Sequence, residues 1–137
     1  MSDPIAFEVR LPDPYDRALE RVTAALKTEG FGVLTRIDVH TTLKEKIGAD
    51  FRPYAILGAC NPPLAHRALS HDAEVGLMLP CNVTVEAAPD GEGCIARIAD
   101  PRVMLAVGRF AHDAALAEVA DEVRARLERV ATALRAR

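Results

Sequence analysis

At 137 residues, half of them hydrophobic, the chain is long enough to bury a core of its own within one domain, residues 1–137. A net charge of −3 argues against a polyanionic partner, because duplex binding needs a basic stripe. With 4% aromatics and no Trp, few platforms remain on which single-stranded bases could stack, so nucleic acid is not expected as a ligand. No run approaches the ~18 apolar residues of a membrane span. Met1-Ser2-Asp3-Pro4 also lacks the basic region and apolar stretch of a signal peptide. Three cysteines, Cys60, Cys81 and Cys94, are too few and odd in number for a disulfide framework, so reduced thiols in a cytoplasmic protein are expected.

In chain order, residues 5–10 alternate Phe7 and Val9 against Ala6, Glu8 and Arg10, the period of a strand. Asp13-Pro14 opens a helix, with Asp13 as cap and Pro14 at the first helical position. Tyr15, Leu19, Val22 and Leu26 form its apolar stripe, and Gly30 ends it in the left-handed region. Val33, Thr35, Ile37 and Val39 alternate with Leu34, Arg36, Asp38 and His40, which predicts a strand with one apolar and one mostly polar face. Thr42 to Glu45 matches a capping box, and Gly48 stops the short helix that follows. Residues 54–60 form another apolar strand, in which Gly58 weakens the middle or marks a bulge.

Asn61-Pro62-Pro63 starts a helix reaching about Leu69, with Asn61 as the capping residue. A strand led in by Leu79-Pro80-Cys81-Asn82 pairs with residues 94–99 through the turn Pro89–Gly93. From Asp113 onward, Leu116, Val119, Val123, Leu127, Val130 and Leu134 repeat on one stripe of a long helix. Hairpin-joined strands with helices before and after them predict an α+β domain, an antiparallel sheet with helices packed on one face. Leu34 among Arg36, Asp38 and His40 hints at a second copy covering the other face, giving a homodimer through the sheet, with a solvent-exposed face as the alternative.

Four blocks carry a resemblance: Gly32–Val39, Leu43–Gly48, Tyr54–Ala65 and Leu79–Val83. In that order and at that spacing the chain closely resembles the bacterial and archaeal domain-of-unknown-function family numbered 302, from about residue 5 to 108. The last helix matches only in being a helix. The resemblance implies a fold, strand–helix–four strands–helix, like half of the TATA-binding-protein architecture and usually seen as a dimer. It implies no activity, and the fold's likeness to a DNA binder carries no function. It also implies that the fold does not require the thiols at positions 60 and 81, because one branch of the family has other residues there.

Cys60 is the sharpest candidate for chemistry. It precedes Asn61-Pro62-Pro63, so its thiol is expected beside the N–H groups of a helix start, whose partial positive charge favours thiolate and hence a nucleophile or soft-metal ligand. The plainer alternative is a small buried hydrophobe at a strand end. Cys81-Asn82 echoes Cys60-Asn61, and convergence of the two would allow a reversible disulfide or two arms of a metal site. Cys94 is expected in the core. Zinc or copper would need a third ligand such as His66, one turn into the same helix, and no metal motif is present to commit to one. Asp38 and His40 could pair on their strand, although two solvated polar residues is the simpler reading. Lys44 would form an anion-binding lip if its loop folded back toward Cys60, as would Arg52 and Tyr54.

No Ser–His–Asp set, Walker loop or dinucleotide fingerprint appears, so no cofactor is implied. The expected function is a binding module for a small anionic or thiol-reactive ligand or a soft metal. Its contacts would be Cys60, Asn61, Cys81, Asn82, His66 and Lys44. Two alternatives stand beside it: a thiol redox enzyme or carrier using Cys60 and Cys81, and a structural partner protein with no chemistry.

Overall fold

The computed structural model describes residues 4–136. Strand β1 (Ala6–Leu11) is followed by helix α1 (Tyr15–Thr28), β2 (Gly32–Asp38), α2 (Val39–Ile47), β3 (Tyr54–Cys60) and α3 (Pro62–His71). A 3-10 turn over Ala73–Met78 leads into β4 (Cys81–Ala87) and β5 (Cys94–Ala99). The short α4 (Pro101–Met104), a second 3-10 turn (Gly108–His112) and the long α5 (Ala114–Arg135) complete the chain. The five strands run antiparallel in the order β1-β5-β4-β3-β2, so the expected α+β architecture and the β4–β5 hairpin are both present.

Val9, Leu11, Leu57, Val83, Val85, Ala96 and Ile98 point to one sheet face and are buried there. Against them lie Leu19, Val22 and Leu26 of α1 and the whole predicted stripe of α5, Leu116 to Leu134. Each buried Leu or Val of this layer contributes about 1.5–3 kcal/mol relative to exposure. Cys94 is core, as expected, at 1% exposure. The opposite face is free of α1, α3 and α5. There Glu86, only 3% exposed, takes hydrogen bonds from Arg52 (2.5 Å) and Arg97, and Arg97 also donates to Glu8 (2.9 Å).

Several local expectations need correction. Pro14, not Asp13, is the cap of α1; the Asp13 carboxylate instead accepts from Arg21 at 2.6 Å. The alternation through residue 40 overruns the strand, since β2 ends at Asp38 and Val39 and His40 already belong to α2. The Thr42–Glu45 box therefore lies inside α2 and caps nothing, although Gly48 does end that helix at φ 66°.

Within β2 a bulge at Leu34 breaks the two-residue period: Val33 pairs with Ala59 and Thr35 with Gly58. Val33 consequently faces the helices with Ala59, whereas Thr35 and Ile37 face the other way. Arg36 and Asp38 take the helix side, opposite Leu57 and Ala55. Leu34 is thus not one of a row with Arg36, Asp38 and His40. The two sheet edges also differ: β2 is interrupted by the bulge, and on β1 the Arg135 side chain donates to the Glu8 carbonyl at 3.2 Å.

A cavity at the strand ends

The predicted start of α3 forms as expected, and the Asn61 side chain caps it. Asn61 Oδ1 accepts the Leu64 N–H at 3.3 Å, and the Ala65 N–H bonds the Asn61 carbonyl at 2.9 Å. Pro62 and Pro63 have no N–H at all. The helix start therefore has no spare amide to aim at Cys60, and among the described residues no hydrogen bond reaches that sulfur. The donors that were to polarise the thiol are absent. Their loss was readable in the two prolines that announced the helix.

Cys60 instead borders a cavity of ≈ 640 Å³ between the ends of β3 and β4 and the layer formed by α3, α4 and α5. Asn61, Cys81 and Asn82 line the same space, so four of the expected contact residues meet there. Its deep wall is apolar: Leu64 and Ala68 from α3, Val75 from the 3-10 turn, and Val119 and Val123 from α5, all buried. At its mouth stand Leu34, Leu69 and Leu77, which are 67%, 41% and 81% exposed. Among the described residues no Lys, Arg, His, Asp or Glu side chain lines it.

Ala59 of β3 pairs with Cys81 of β4, which places Cys60 one residue beyond that pair and on the opposite sheet face. Burial first, and the neighbouring Cys60 second, push the Cys81 thiol up to about 11. Cys81 is therefore a neutral thiol across the physiological range. Both sulfurs are free thiols.

Two expected contacts lie elsewhere. His66 is exposed on α3 and does not border the cavity. Lys44 pairs with Asp50 at 2.8 Å beside a separate concavity of ≈ 470 Å³ that includes His40 and Phe51. Neither forms a site with Cys60. Among the described residues no three His, Cys, Asp or Glu side chains are grouped to hold a metal ion, so the Cys60–Cys81–His66 trio is not assembled. Asp38 and His40 do not pair: Asp38 accepts from Arg36 and Tyr15, and His40 Nδ1 accepts the Tyr54 N–H at 3.0 Å. Arg52 is committed to Glu86.

Sequence reading missed most of the cavity wall. The run Val75, Leu77, Met78, Leu79, between α3 and β4, has neither helical nor strand period. Apolar residues concentrated in a connection are the signal that something there needs covering.

These features define a small antiparallel α+β domain with an apolar cavity at one end of its sheet. The family model described as domain of unknown function DUF302 matches residues 7–134, and the chain belongs to that family. The match runs through α5, further than the first 108 residues on which the resemblance rests. The chain is also similar to the solved structure described as an uncharacterized conserved protein DUF302 from Bacillus stearothermophilus. The two are 32% identical with a TM-score of 0.85, over 98% of this chain and 100% of that one. No curated protein matches the chain. Among the described residues no helix is long and apolar enough to cross a membrane.

Proposed function

We propose that the chain is a small-molecule binding module whose ligand is largely apolar and enters the cavity beside Cys60. The observation that carries this reading is the lining: two thiols, two carboxamides and the Thr35 hydroxyl in an otherwise apolar wall, with no charged side chain among the described residues. Its volume falls within the ~300–1,000 Å³ usual for ligand pockets. An anionic ligand has weaker support, because the expected cation, Lys44, is elsewhere. A soft metal would find two sulfurs and, among the described residues, no third ligand.

A thiol-reactive ligand also has weaker support, because the helix-start donors that would favour a Cys60 thiolate are taken by Asn61 or missing at the two prolines. The redox alternative has less support, since a resolving thiol must ionise and burial opposes that at Cys81.

Titration with N-phenyl-1-naphthylamine, a neutral apolar fluorophore, tests the reading. Saturable one-site enhancement at micromolar concentration is expected, weakened fivefold or more by Leu77→Glu at the mouth. Leu77 is exposed, so that change spares the fold. Absence of saturable enhancement would refute the proposal.

The reading places the chain in the cytoplasm, where its thiols stay reduced. It also keeps the homodimer, with the sheet face opposite α1, α3 and α5 as the contact. Ile56 and the half-exposed Ile37 lie on that face. A sedimentation mass of one chain at micromolar concentration would end the dimer proposal.

A further inference from the structure

The chain has three cysteines and three methionines, and four of these six line the one cavity: Cys60, Cys81, Met78 and Met104. Met1 lies outside the described residues, and Cys94 is enclosed in the core. Three of the four come from different elements around the space: Met78 from the first 3-10 turn, Met104 from α4 and Cys81 from the start of β4. Each is half-buried and keeps surface open to a guest, whereas Leu64, Ala68, Val75, Val119 and Val123 are almost wholly enclosed. A methionine used for packing closes an irregular gap with its flexible thioether; here two of them border a gap that stays open. The wall has little aromatic surface of its own, since among the described residues Phe31 is its one ring and is 2% exposed.

From this clustering we infer that the ligand is a planar aromatic compound, held with its ring edges against the sulfurs of Met78, Met104 and Cys81. An aromatic ring is positive at its edge and negative on its faces, and a polarisable sulfur meets it favourably at the edge. Each such contact strengthens binding about two- to tenfold. A saturated guest of the same size gains only the hydrophobic term, which any apolar wall supplies. The two thioethers rotate about three bonds each and adapt to the outline of a flat guest, which branched Leu and Val do not. Burial pushes the Cys81 thiol up to about 11, so its sulfur meets the ring as a neutral group.

This inference rests on the proposed function, and calorimetric titration of the full chain separates the two. The probes are 2-naphthol and decahydro-2-naphthol, alcohols of one carbon skeleton that differ in aromaticity. The parent is expected to bind 2-naphthol about fivefold more tightly. Incorporation of norleucine replaces the sulfur of Met78 and Met104 by a methylene, with Met1 the only other methionine changed. That replacement should lower the preference about threefold, toward equal binding of the two alcohols. The preference is a ratio measured on one chain, so a general loss of affinity does not imitate its fall. Should the norleucine chain bind neither alcohol, Met78→Leu and Met104→Leu are made singly, and each is expected to lower the preference about twofold. If neither the alcohols nor N-phenyl-1-naphthylamine bind the parent, the module reading and this one fail together. If the alcohols bind the parent equally well, or the preference survives the sulfur replacements, the aromatic assignment alone is overturned.

Discussion

The Thr35 hydroxyl stands where a side chain on Gly58 would begin: a Cβ built at Gly58 would lie 2.2 Å from Thr35 Oγ1 and 2.7 Å from Pro80 Cγ. Gly58 faces Thr35 across the ladder directly after the bulge, so the missing methyl lets β2 and the lead-in to β4 close over β3. Gly58→Ala must push both neighbours aside and is expected to cost about 1–3 kcal/mol, as overpacking in a tight site does. Urea unfolding measures it. A stability within 0.5 kcal/mol of the parent, on the order of a neutral surface change, would show that the contact yields freely.

Removing the cap of α3 acts at the cavity itself. Asn61→Ala leaves the Leu64 N–H without its acceptor and is expected to destabilise by about 1–2 kcal/mol, with Asn61→Ser recovering part of the loss. Equal losses for Ala and Ser would mean that the carboxamide's bond to the Glu29 carbonyl, at 3.5 Å, matters more than the cap.

Acid should weaken the fold partly through Glu86. Burial pushes its carboxyl up, yet the hydrogen bonds and charges of Arg97 and Arg52 outweigh burial and hold it below the usual carboxylate range. Unfolded, the group returns to ~4.3, so its contribution is present above that value and is lost as pH falls through the lower folded one. Glu86→Gln is expected to cost about 1–3 kcal/mol at pH 7, less than a fully buried pair because both arginines are partly exposed. The gap to the parent should close as the pH drops below ~4. A gap that stays constant from pH 7 to pH 3 would remove Glu86 from the acid response.

Thiol mapping gives a fourth prediction. With Cys81 pushed up to about 11, and Cys94 also raised by burial, iodoacetamide at pH 8 should modify either one about a hundredfold more slowly than in urea-unfolded chain. Peptide mass spectrometry after timed quenching reads the rates. Labelling of Cys81 at the unfolded rate would contradict its burial at the cavity wall.

Legibility differed from element to element for physical reasons. The α5 stripe and the hairpin at Pro89–Gly93 were plain, because each is set by local periodicity or turn chemistry over enough residues to outweigh exceptions. The end of β2 was not. Apolar–polar alternation continued into Val39 and His40, while Asp38 was already the residue before a helix. A bulge leaves no mark in composition, so the faces of Thr35 and Ile37 were assigned wrongly from a correct strand. Cys60, Asn61, Cys81 and Asn82 border one cavity because strand ends and a cap are local features that the sequence marks. His66 and Lys44 were misplaced because spacing along the chain does not report convergence in space. The surroundings of Cys60 are legible in Pro62 and Pro63, which supply a helix start and withhold its donors.

Leu34 has one more consequence. It is an extra residue in a ladder whose hydrogen-bonded partners match one to one on either side of it, so the sheet would tolerate its deletion. The cavity would not, because the same side chain guards the entrance. Chain length in β2 and access to the interior are thus tied to a single codon. Shortening the strand by that one position would straighten a border and unlatch a door in the same step.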